Sequence, residues 1–174
     1  AAKGLSVMGN DQDDLVVRVA RTLRELVAAG HTIRFLVANR DDLDTARSCA
    51  EQAGLGERPD VRLVTEPQVF LREVAQCEAF IGERLHAVVL ATAAAVPSVM
   101  LEYQPKCLDF MRSVHRQEWS LRTDRVNPGI LAAMVQDMVA ARSKHALQIR
   151  DAVDLLRAQL ETEIRALRTA LEAA

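Results

Sequence analysis

The sequence predicts an α/β domain on a doubly wound, Rossmann-like parallel sheet, followed by a long helical tail. Three observations carry this. Short apolar runs alternate with amphipathic stretches from Gly4 to Leu101. The runs are continuously apolar, as in strands buried on both faces of a parallel sheet. Glycines close the amphipathic stretches, where a helix needs a left-handed residue.

The elements follow in order. Gly4-Leu5-Ser6-Val7-Met8 reads as a buried strand, and Gly9-Asn10-Asp11 as its turn and the cap of a helix from Leu15 to Ala29. Gly30 ends that helix, His31 to Ala38 forms a second strand, and Asp41-Asp42 opens a helix that closes near Gly54. Val61 to Val64 is a third strand and Glu66 to Ala75 a helix. Ala79 to Gly82 is a fourth strand, Leu85 to Ala95 a helix of small residues, and Pro97 to Leu101 a fifth strand. After Asn127-Pro128-Gly129 the pattern is helical to the end, with a break expected near Ser143 to His145. Residues 1–126 are thus expected to form the sheet domain, and 127–174 a helical segment packing on it, on a missing lobe or on a partner.

The tail repeats Ile149, Val153 and Leu156 as Leu160, Ile164 and Leu167, and Leu171 begins a third round. This eleven-residue spacing keeps one apolar stripe on a nearly straight helix, so the stripe is expected to be buried against protein, a second copy of the chain included.

Composition narrows the function. A formal charge of −2 gives no electrostatic footprint for nucleic acid, so none is expected as a partner. No apolar run reaches the roughly 18 residues of a membrane span. Cys49, Cys77 and Cys107 lack paired spacing, which argues against a zinc site or disulfide framework and suits a reducing cytoplasm. Asp13-Asp14 and Asp41-Asp42 read as acids favouring the first turns of helices, so no metal is assigned. The start Ala1-Ala2-Lys3 is expected to be an internal point of a longer polypeptide.

In a doubly wound sheet, ligands sit beyond the carboxyl ends of the strands, against helix N-termini. Three loops occupy such places: Gly9-Asn10, Gly82 to His86, and Glu102 to Lys106. Arg84 offers a planar fork for carboxylate or phosphate, and His86 an imidazole that exchanges protons near neutrality. Leu85 lies between them in the same turn, and Tyr103 and Lys106 add a phenol and an ammonium from the next loop. The plain alternative is an Arg84 paired with Glu83 or another surface acid, a His86 that caps a helix, and a Tyr103 and Lys106 that cover apolar surface. Asp109, Arg112 and His115 are expected to face solvent, and Trp119 to cover the sheet edge or line a pocket.

The run Phe80-Ile81-Gly82-Glu83-Arg84-Leu85-His86-Ala87, followed by Val96-Pro97 and then Tyr103-Gln104-Pro105-Lys106, resembles the C-terminal half of polysaccharide pyruvyl transferases. The resemblance covers roughly residues 4 to 140. It implies one lobe of a two-lobed enzyme similar in architecture to GT-B glycosyltransferases, with residues 1–126 binding the donor. It also implies transfer of the enolpyruvyl unit of phosphoenolpyruvate to a sugar, forming a pyruvate ketal on a cell-surface polysaccharide or its lipid-linked precursor. His86 is then the expected general acid; Arg84, Leu85, Tyr103, Lys106, Gly9 and Asn10 are expected to bind substrate, and no cofactor is needed. The enzyme would be cytoplasmic or peripheral to the inner face of the membrane, and this chain alone inactive for lack of an acceptor lobe.

Two positions depart from the family pattern. Met8-Gly9-Asn10 stands where many relatives carry an arginine, and Glu83 where they often carry an uncharged residue. The competing readings are a nucleotide-binding domain of the glycosyltransferase or sugar-nucleotide epimerase kind, and a non-catalytic scaffold.

Overall fold

The computed structural model describes residues 12–172. The expected first strand, Gly4 to Met8, and the loop residues Gly9 and Asn10 lie outside the described residues. The chain runs α1 (Gln12–Ala28), β1 (Arg34–Val37), α2 (Leu43–Gln52), β2 (Asp60–Leu63), α3 (Pro67–Val74), β3 (Phe80–Gly82), α4 (Leu85–Ala93), β4 (Ser98–Glu102), α5 (Pro105–Ser113), β5 (Ser120–Arg122), α6 (Pro128–Ala140) and α7 (Arg142–Glu172).

All strand pairing among the described residues is parallel, as the continuous apolar runs require. It divides into two small sheets, one of β1 and β2 and one in the order β3-β4-β5. Phe35 stands opposite Val61 in the first, and Gly82 opposite Met100 in the second. The sequence reading missed β5, a three-residue strand whose only large apolar residue is Leu121. Too short for a periodic signal, it gains its pairing from the neighbouring β4.

Helices cover both faces. α1 packs against α2 and α6, whereas α3 packs against α4. Alternate residues of one strand therefore enter different cores: Val99 and Leu101 join Leu23, Leu131 and Met138 beneath α1 and α6, while Met100 meets Val88, Cys107 and Met111 beneath α4 and α5. A third cluster, around Phe70, Val74, Ala91 and Val96, seals α3 to α4, with Phe70 edge-on to Phe80.

Four helices end in the same hydrogen-bonded motif, with a left-handed residue just past the last turn. Gly30 and Gly54 supply it for α1 and α2, as expected, but Ala95 and His115 supply it for α4 and α5, with φ of 57° and 54°. After α5, the His115 amide donates to the Arg112 carbonyl at 3.0 Å and the Arg116 amide to that of Met111 at 2.8 Å. His115 thus lies past the helix that carries the exposed Asp109 and Arg112, and is itself exposed.

The helical break falls at Ala141, two residues before the expected position. α7 then runs for 31 residues. Its beginning packs on α4 and α6, burying Ile149 and half-burying Val153 and Leu156. The rest of the stripe departs from the expectation of burial: Leu160, Ile164, Leu167 and Leu171 are 50% to 78% exposed, because the helix outruns the domain beneath it. No helix among the described residues is long and apolar enough to cross a membrane.

Among the described residues, β1, β3 and Leu15, Val19 and Leu23 of α1 line a cavity of about 770 Å³.

Candidate functional site

β3 and β4 are parallel neighbours, so the turn after β3 and the loop after β4 leave the same sheet edge. Arg84 and Tyr103 therefore stand at one edge, as a shared site requires. Gly82 makes the turn tight: it is buried, and a Cβ there would collide with the side chains of Val88 and Phe80. Such closeness lets the chain reverse from β3 into α4 within two residues, which brings Arg84 to the helix's N-cap position.

Arg84 does not cap α4 through its side chain. Its guanidinium meets Asp42, which lines the same cavity, with Nε donating to Oδ2 at 2.8 Å and one terminal nitrogen to Oδ1 at 2.5 Å. This bidentate hydrogen bond, followed by the charge of Asp42, holds the guanidinium above its usual pKa. The other terminal nitrogen makes no hydrogen bond among the described residues, and the side chain is half-exposed.

The pairing adds a partner to Asp42, which also stands with Asp41 in the first helical turn, as expected. Asp42 stands at the N-cap of α2 without capping it, and takes the arginine instead. The two residues are 42 positions apart, so no local pattern announces the pair. Glu83, the expected rival for Arg84, is partly buried, and burial raises its carboxyl above the ordinary range against the pull of Arg84.

His86 is exposed on the first turn of α4. Lys106, also exposed, places its ammonium 5.5 Å from the centre of the half-buried Tyr103 ring. The cavity is lined by Asp42, Glu83, Arg84 and Ala87; His86, Tyr103 and Lys106 do not line it. Leu85 packs inward with Met100 and Cys107, so only its backbone is available at the turn.

Two further residues are settled by packing. Glu102 is buried, accepting from the Ser120 hydroxyl at 3.2 Å, while its carbonyl accepts from Thr123 at 3.3 Å, so the side chain ties β4 to β5. Trp119 joins the core at the β5 end and meets His145 of α7 edge-on at 4.8 Å, with the Arg116 guanidinium 5.0 Å from its ring. The three cysteines are free. Burial pushes the Cys49 thiol up to about 11, which leaves it inert at neutral pH.

Fold and site together define an α/β protein whose parallel strands carry an arginine turn and a tyrosine–lysine loop to one sheet edge. The particular family follows from comparison: a family model of polysaccharide pyruvyl transferases matches residues 13–105. That is more than half of the chain, it takes in the Arg84 turn and the Tyr103 loop up to Pro105, one residue short of Lys106, and the chain belongs to this family, a family of transferases. Searches of curated proteins and of solved structures return no match.

Proposed function

We propose that this chain is the donor-binding lobe of a polysaccharide pyruvyl transferase, with phosphoenolpyruvate held at the edge where β3 and β4 end. The observation that carries the reading is the parallel pairing of β3 with β4 inside the family match, which sets the Arg84 turn beside the Tyr103 loop. The domain then corresponds to the Rossmann-like second lobe of a two-lobed, GT-B-like enzyme, and the acceptor binds across from it. Residues 127–174 continue this lobe, with the free end of α7 placed to meet another lobe or a second copy.

The chemistry asks three things of the site. The methylene carbon of the donor must gain a proton, which becomes part of the ketal's methyl group. Two sugar hydroxyls must bond to the adjacent carbon, losing their protons. The C–O bond to phosphate must break, with the electron pair leaving on inorganic phosphate.

Arg84 suits the anionic ends of this donor, because a guanidinium held in a fixed orientation stabilises charge that builds on the leaving oxygen. In the free protein Asp42 occupies one edge of that fork and keeps it oriented. The donor takes the remaining terminal nitrogen or displaces the carboxylate. His86, on the first turn of α4, is the general acid that delivers the proton. Lys106 and Tyr103 complete the anion site from the adjacent loop, and the backbone at Leu85, with Gly9 and Asn10, adds donors. No cofactor takes part. The acceptor is a polysaccharide unit or its lipid-linked precursor, which places the enzyme in the cytoplasm or at the inner face of the membrane.

Two variants test the division of labour, by calorimetry on this chain and by turnover with an acceptor-binding lobe supplied. Arg84→Ala should abolish most donor affinity. His86→Gln should retain binding and lower turnover about 10²- to 10⁴-fold. Loss of donor binding in both would make His86 an anion ligand; normal turnover in both would reduce the Arg84–Asp42 pair to a structural clasp.

A further inference from the structure

We propose that Asp42 is a positioning residue of the donor site: it grips Arg84 by one edge of the guanidinium, presents the other edge to the donor, and stays paired while the donor is bound. This rests on the donor reading given above, and decides between the two ways in which the donor could meet Arg84.

The geometry of the pair gives the first argument. Asp42 accepts side-on, taking Nε at 2.8 Å on one oxygen and a terminal nitrogen at 2.5 Å on the other. A guanidinium carries five N–H groups in a fixed fork. The side-on pair uses two of them. The three that remain include the end-on fork between the two terminal nitrogens, which fits a second carboxylate or a phosphate. A donor can therefore engage Arg84 without breaking its bonds to Asp42.

The second argument is the support behind each partner. Asp42 follows the carboxyl end of β1 in a one-turn 3₁₀ helix, Arg40–Asp42. Asn39 caps that turn: its side chain accepts from the Asp41 amide at 3.2 Å, and its carbonyl from the Asp42 amide at 3.0 Å. α2 continues directly from the turn and buries Cys49 and Ala50. The carboxylate thus stands on a fixed base. Arg84, by contrast, is a long, half-exposed side chain whose hydrogen bonds among the described residues all go to Asp42. A free side chain of this kind samples many rotamers, and a donor would have to order it on binding. A guanidinium already held in place spares the donor that cost.

Charge explains why the pair persists. A donor that displaced Asp42 would bring its own negative groups against the released carboxylate, which is only 30% exposed, with Glu83 next to Arg84 in the same turn. Like charges at short range oppose that exchange, whereas binding on the end-on fork keeps the arginine between the two anions.

Calorimetry with phosphoenolpyruvate on the intact chain, joined to NMR of the arginine Nε–H groups, tests this. The Arg84 Nε–H resonance, identified by its loss in Arg84→Lys, should be protected from solvent exchange in the free protein and remain so at saturating phosphoenolpyruvate. Asp42→Asn should remove that protection and weaken donor binding about tenfold or more, although it deletes a negative charge. Asp41→Asn deletes the same charge one residue away, from an exposed side chain, and should not weaken binding. Unchanged or tighter binding by Asp42→Asn would overturn the proposal, making the carboxylate a bystander or a competitor. Equal losses in the two variants would overturn it by assigning the effect to the turn as a whole, and loss of Nε–H protection on donor binding would show displacement and overturn it too. Each of these outcomes leaves the donor reading standing, because the wild type binds phosphoenolpyruvate in all of them. A wild type that binds none defeats that reading, and the role of Asp42 with it.

Discussion

Single positions already separate folding chemistry from binding chemistry. Burial raises the Glu83 carboxyl, so the folded state binds its proton more tightly than the unfolded state does. The sign follows: no penalty exists below the unfolded value near 4.3, and the full penalty applies once pH exceeds the folded value. Glu83→Gln should therefore melt higher than wild type at pH 7, with the gain fading as pH falls to about 4. Thermal melts across that range check it, and equal melting temperatures at pH 7 would show that Glu83 bears no such strain. His115 offers a test of backbone conformation alone. It sits exposed at φ 54°, where an L-residue costs about 1–2 kcal/mol and glycine's extra freedom in the unfolded chain offsets part of the gain. His115→Gly should stabilise by about 0.5–1 kcal/mol in urea unfolding.

Elements show where local pattern suffices. At the far side of the small sheet, Arg34 and Arg62 both hold Asp60 and both reach Glu73, tying β1 and β2 to α3. Hydrogen bonds from Arg62 and then Arg34 lower the Asp60 pKa. Its contribution is therefore present above the unfolded value and lost as pH falls through the lower folded one. Asp60→Asn should lower the melting temperature at neutral pH, modestly because the group is partly exposed, and the difference from wild type should vanish once pH has fallen through the lowered folded value. α7 poses the opposite case, since its apolar period is regular to Leu171 while its protein contacts end near Leu156. Periodicity reports that a face exists and not what covers it. If a second copy covers it, light scattering should detect a dimer that Leu160→Glu with Leu167→Glu dissolves; a wild-type monomer at high concentration would contradict that. The strands and helices from His31 to Leu101 were legible because each carries its own period and stop signal. β5 was not, because three residues hold no period, and the break at Ala141 was displaced because no proline or glycine marks it.

At the scale of the molecule, the sequence placed Arg84 and Tyr103 at one sheet edge because parallel strands deliver all their carboxyl ends together. It did not reveal Asp42 as the partner of Arg84, since that contact joins the turn before α2 to the turn after β3, 42 residues apart, and leaves no trace in local spacing. The central claim is that this edge recognises phosphoenolpyruvate and not a nucleotide sugar. The most direct measurement is thermal unfolding of the 174-residue chain in rising concentrations of phosphoenolpyruvate, beside a panel of nucleoside diphosphates and their sugars. Phosphoenolpyruvate should stabilise the chain, by about 2.7 kcal/mol at a hundred times its dissociation constant. Arg84→Ala should remove that shift, and the nucleotides should give none. Stabilisation by a nucleoside diphosphate, with no response to phosphoenolpyruvate, would contradict the account.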